Sequence, residues 1–63
     1  MEIRMIEKTV DYRGARIRYV AEMIRDEVGE ELRSLTYSVN GVDFMNLDSN
    51  TQAYWYSVIT SIL

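Results

Sequence analysis

Three groups of side chains in this chain could do chemistry. Asp26 and Glu27 with Glu30 and Glu31 offer carboxylate oxygens to a divalent cation, Arg13, Arg16 and Arg18 beside Tyr19 offer phosphate contacts and a stacking face, and the serines offer hydroxyl nucleophiles. The carboxylates lack the alternating ligand spacing of a calcium loop. With no His and no Cys, the chain has neither a base to activate a serine nor the ligands of a common zinc site, and no disulfide. Its three glycines form no phosphate-binding fingerprint. These absences predict a protein that is not an enzyme and uses no cofactor and no metal.

Seven Lys and Arg against ten Asp and Glu give a net charge of -3, too mild for a DNA mimic and of the wrong sign for a binder driven by phosphate attraction. A nucleic-acid role for Arg13, Arg16 and Arg18 is therefore the alternative expectation, and the pairing derived below weakens it further. The acidic turn, residues 25–31, is expected to face water; read as a docking site, it would use Asp26, Glu27, Glu30 and Glu31. No basic, apolar leader and no apolar run of about 20 residues is present, so neither a secretory signal nor a membrane span is expected, and a cytoplasmic protein is.

The elements that hold these groups follow from the patterning. Glu2 to Tyr12 and Ala15 to Ile24 flank Arg13-Gly14, which suggests a hairpin over residues 2–24. A two-residue loop sets Tyr12 opposite Ala15, Val10 opposite Ile17, Lys8 opposite Tyr19 and Ile6 opposite Ala21, nearly all apolar and on one face. Asp11 opposite Arg16 and Thr9 opposite Arg18 then occupy the other face, so the arginines point away from Tyr19. Arg-Gly is not the best turn pair, and a bulged loop of three to five residues is the variant. The rival fold makes residues 15–35 a helix, because Ile17, Val20, Ala21, Ile24, Val28, Leu32 and Leu35 also fit a 3.6-residue period, giving βαββα. Gly29 inside that span and the lack of a cap near Gly14 count against it.

A second hairpin over residues 32–47 turns at Asn40-Gly41, the preferred type I′ pair, and sets Val39 opposite Val42, Tyr37 opposite Phe44 and Leu35 opposite Asn46. The chain closes with a helix over residues 49–63, opened by a capping box between Ser49 and Gln52. Its stripe of Trp55, Val58, Ile59 and Ile62 would cover Val10, Ile17, Tyr19, Tyr37, Val39 and Phe44. The expected architecture is a single α+β domain: a four-stranded antiparallel β-meander with one C-terminal α-helix packed on one face.

One sheet face can use only one side of that helix. Its back carries Ala53, Ser57 and Ser61 at every fourth residue, with Thr60 beside them and Tyr54 and Tyr56 on the flanks, and no charged side chain. Small residues let a second backbone approach closely, and Tyr is enriched where proteins meet, so these six residues are the expected oligomer interface of a homodimer. A domain of 63 residues without disulfide or metal buries only about 60% of its unfolded surface, which makes association a natural support. The expectation is a small non-enzymatic protein-binding module that occludes a larger protein. Inhibitors or modulators encoded by phages or mobile elements, acting on a host protein or defence system in the host cytoplasm, are the class that this size and composition fits. A structural subunit of a larger assembly is the remaining alternative.

Overall fold

In the computed structural model, which describes Met1–Leu63, Arg13 and Gly14 take positive φ of 50° and 86°, the combination a type I′ turn requires. That turn joins β1 (Glu2–Tyr12) to β2 (Ala15–Arg25) with Tyr12 opposite Ala15, Val10 opposite Ile17 and Ile3 opposite Ile24, so the two-residue loop and its register are as expected. Asn40 and Gly41, at φ 52° and 82°, make the second such turn between β3 (Glu30–Val39) and β4 (Val42–Asp43). The two turns are tied side by side. The Arg16 amide donates to Asn40 Oδ1 at 3.0 Å, and the Asn40 amide donates to the Arg16 carbonyl at 2.8 Å.

The four strands form one antiparallel sheet in the order β1-β2-β3-β4, and the helix α1 (Ser49–Ile62) lies on one face. The chain is thus a two-layer α+β domain. The core is Ile17, Tyr19 and Ala21 of β2, Tyr37 and Val39 of β3, and Val58 and Ile59 of α1. Odd-numbered positions of β2 and β3 supply it because side chains alternate along a strand. At about 3.3 Å per residue the strands are far longer than a 14-residue helix at about 1.5 Å per residue, so α1 covers only part of the sheet. Ile6, Met23, Leu32 and Leu35 are only half-buried beside the core.

The helical alternative for residues 15–35 is overturned, since β2 and β3 occupy nearly all of that span. Its attraction came partly from Leu32 and Leu35, three residues apart yet both packed against the core. A register irregularity beside Glu22 and Met23 explains this: Glu22 pairs with Ser34 and Met23 with Leu32, leaving Arg33 as the extra residue of a bulge. Arg33 lies 3.1 Å from Glu22. The turn between β2 and β3 is also tighter than residues 25–31. Arg25 belongs to β2 and Glu30 and Glu31 to β3, while the Asp26 carboxylate accepts from the amides of Val28 (2.9 Å) and Gly29 (3.1 Å) and closes the turn locally.

The second hairpin is shorter than residues 32–47. Val39 faces Val42, but β4 ends at Asp43, and Phe44–Asn46 form a 3-10 turn instead of pairing with Tyr37 and Leu35. Asp43 causes the break: its carboxylate caps the turn, accepting from the Met45 amide at 3.0 Å. The N-cap of α1 is Asp48 rather than Ser49, with the Thr51 hydroxyl donating to Asp48 Oδ1. Ile62 does not join the seal over the sheet, because the buried part of α1 ends at Ile59 and Ile62 is 44% exposed.

Candidate interaction surface

The back of α1 is an exposed surface with no charged side chain. Ala53, Tyr54, Tyr56, Ser57, Thr60 and Ser61 are all exposed, as the helix phase predicts once Val58 and Ile59 are fixed inward. Two of the hydroxyls bond within their own helix: Thr60 Oγ1 donates to the Ser57 carbonyl at 3.1 Å and Ser61 Oγ to the Val58 carbonyl at 2.7 Å. A second helix approaching this face would therefore meet Thr60 and Ser61 with their donors already used, while the Ser57 hydroxyl makes no bond within the helix.

Beside this face the structure opens a cleft of about 540 Å³, lined by Ala53, Tyr56, Ser57, Ser49 and Gln52 of α1 and by Leu35, Tyr37 and Phe44. Three of the expected interface residues thus share one concavity with side chains from β3 and the 3-10 turn. No charged residue lines it. Its base is rigid for identifiable reasons. The Tyr37 and Phe44 rings lie 5.2 Å apart, and the Tyr37 phenol donates to the Gln52 carbonyl at 2.9 Å. The Gln52 side-chain amide in turn donates to the carbonyls of Phe44 (2.8 Å) and Leu47 (3.0 Å). Burial pushes the Tyr37 phenol above its ordinary pKa, which keeps it a donor through neutral and mildly alkaline pH.

Leu35, Tyr37, Phe44 and Gln52 are functional candidates that sequence reasoning did not single out. The cleft exists because Phe44 leaves the sheet, and the available signal was Asp43, a good cap, directly before Phe44-Met45-Asn46. On the opposite flank of α1, Trp55 packs edge-on against both Tyr12 (6.1 Å) and Tyr54 (5.0 Å). Tyr54 is therefore half held in place by the core, whereas Tyr56 stands over the cleft.

The other expected sites are dispersed. Glu30 makes an ion pair with Arg4 at 2.8 Å across β2, and Asp26 is folded into its own turn, so of the four acidic residues only Glu27 and Glu31 are left pointing outward without such a role. No group of three or more acidic residues comes together as a metal-ligand set. Arg16 and Arg18 lie on the sheet face away from α1, and Arg18 pairs with Glu7 at 2.8 Å. Arg13 sits in the turn with its guanidinium 5.4 Å from the Tyr12 ring centre, and Tyr19, the ring the arginines would need for base stacking, is 2% exposed on the opposite face. No helix is long and apolar enough to cross a membrane. The chain matches no protein-family model, no curated protein and no solved structure.

Proposed function

We propose that this chain is a non-enzymatic protein-binding module that engages a larger protein through the back of α1 and the cleft beside it. The observation that carries the reading is the charge-free cleft of about 540 Å³ continuous with an exposed, uncharged helix face. A concavity of this size, walled by Leu35, Phe44 and Tyr56, fits one apolar anchor side chain of a partner, with Ser49 and Ser57 at its rim as polar contacts. Within this proposal the chain acts as an inhibitor or modulator carried by a phage or mobile element, occluding a host protein in the cytoplasm through that uncharged surface.

Affinity capture from a candidate host, run in parallel with Ser57→Lys and Ala53→Glu variants, tests the reading. Both positions are exposed, so the variants keep the fold. Capture of a specific protein that both variants lose supports the reading; capture that both retain overturns it. A second copy of this chain as the occupant of the same face is the other reading, favoured by the small residues Ala53, Ser57 and Ser61 along it. It predicts that Ser57→Lys changes the association state of the purified protein. The nucleic-acid alternative through Arg13, Arg16 and Arg18 predicts salt-sensitive binding of labelled oligonucleotides, and absence of binding at low salt removes it.

A further inference from the structure

The back of α1 is not the only surface without a partner. β1 is the outermost strand, and its hydrogen-bonding edge is open along its whole length. The type I′ turn makes Tyr12 and Ala15 a hydrogen-bonded pair, and such pairs alternate along an antiparallel ladder. Even-numbered residues of β1 therefore bond to β2, while Ile3, Met5, Glu7, Thr9 and Asp11 aim their amides and carbonyls outward. The Asn40 amide bonded to the Arg16 carbonyl fits this phase, because it places the even positions of β2 toward β3.

The β1 edge carries charge at Glu2, Arg4, Glu7, Lys8 and Asp11, which restricts the partners and registers it accepts, but it lacks the backbone protections of a long edge. The chain has no proline, and β1 pairs with β2 without a register break over its full length. The bulge of this sheet lies on the other side of β2, toward β3. The opposite edge is less regular: β4 covers only Ser38 and Val39 before the chain leaves the sheet as the 3-10 turn, and the rest of β3 is interrupted by the bulge at Arg33.

We propose that two copies of this chain pair antiparallel through their β1 edges, on a two-fold axis at Met5, to form one continuous sheet. The register follows from charge. Hydrogen-bond phase requires odd residues to meet odd residues, so the centres that pair a long stretch of β1 are Met5, Ile6, Glu7, Lys8 and Thr9. Centring on Ile6 opposes Arg4 and Lys8. Centring on Glu7 or Lys8 opposes each to itself, and centring on Thr9 opposes Glu7 and Asp11. Only the Met5 centre opposes no like charges, and it sets Glu2 against Lys8 of the second copy on both sides of the axis. It also gathers Ile3 and Met5, 53% and 59% exposed, from both copies into one patch on the outer sheet face, beside Ile24. Because the two-fold contact uses the same edge of both copies, the assembly closes as a dimer instead of growing into a fibre. The dimer leaves both clefts free, and the inference stands whether or not the cleft has a partner.

The experiment is light scattering of the purified full chain across micromolar concentrations, joined to cross-linking. The expected mass is twice 7.4 kDa. Met5→Pro removes one outward amide and none that bonds to β2, and it weakens association by about tenfold or more. Glu2→Lys and Lys8→Glu each weaken it severalfold, and combining them restores it, a pattern that lost folding would not give. The chain has no cysteine of its own, and paired Cα atoms about 5.5 Å apart suit a disulfide, so oxidised Met5→Cys becomes a covalent dimer while Ile3→Cys and Ser57→Cys do not. A monomer at every concentration overturns the proposal. So does cross-linking through Ser57→Cys in place of Met5→Cys, which assigns the second copy to α1.

Discussion

The Tyr37 phenol donates to the main-chain carbonyl of Gln52 at 2.9 Å, tying the second half of β3 to the first turn of α1. Because Gln52 also bonds to the carbonyls of Phe44 and Leu47, this single contact joins strand, 3-10 turn and helix at the wall of the cleft. The phenol can make it only while protonated.

Tyr37→Phe should therefore cost about 1 kcal/mol, the net worth of one hydrogen bond, and lower the melting temperature by about 4–8 °C for a domain of this size. The pH dependence has a definite sign. Burial raises the Tyr37 pKa above the ordinary 10.0, so the native state holds this proton more tightly than the unfolded chain does. Its contribution is fully present below about pH 10 and is lost as pH rises through the raised native value. Urea denaturation from neutral pH into the alkaline range should show the gap between wild type and Tyr37→Phe narrowing with pH.

Arg13 occupies a left-handed turn position at φ 50° that costs a branched or long residue on the order of 1 kcal/mol, while Asn tolerates it. Against that stands the Arg13 guanidinium over Tyr12, worth about 0.5 kcal/mol at an exposed site. The backbone effect is the larger. Arg13→Asn should stabilise the protein by about 0.5 kcal/mol in a denaturation curve, and Tyr12→Leu alone should lose part of the arginine's compensation.

Much of this fold is legible in the residues themselves, and the failures share a cause. Arg13-Gly14 and Asn40-Gly41 mark both type I′ turns, and the division of β1 and β2 into an apolar and a charged face determines their register. The stretch Val42 to Leu47 reads as a strand because its alternation is strand-like. What overrides it is a short-range competitor, the Asp43 carboxylate, together with a long-range one, the Gln52 amide, which satisfies the carbonyls of Phe44 and Leu47. Leu32 and Leu35 suggest a helical period because a bulge at Arg33 mimics it locally. The small, uncharged back of α1 was legible from helix phase alone. The cleft was not, since it needs Phe44 outside the sheet.

At the start of α1, the Thr51 hydroxyl holds the Asp48 carboxyl below its ordinary value of 3.8. A lowered carboxylate stabilises the fold above the unfolded pKa and loses that contribution as pH falls through the native one. Thr51→Val should thus be less stable than wild type at neutral pH, and the two should converge in acid as pH falls through the lowered native value of Asp48. Urea titrations at neutral pH and in acid decide it; a gap that persists in acid would mean that Thr51 acts through packing instead.

Ile59 and Ile62 lie on the same helical arc, yet they should respond very differently to truncation. Ile59 is fully buried against the sheet, and Ile59→Ala should cost about 2–5 kcal/mol through lost transfer energy and the cavity left behind. A single small core rarely supplies more than about 3–5 kcal/mol in total, so this change alone should leave much of the chain unfolded at room temperature. Ile62 is 44% exposed, and Ile62→Ala should cost less than about 1 kcal/mol. Far-ultraviolet circular dichroism of both variants checks the contrast. Equal losses would mean that the last turn of α1 is held down in solution, as it would be if a second molecule covered the end of the helix.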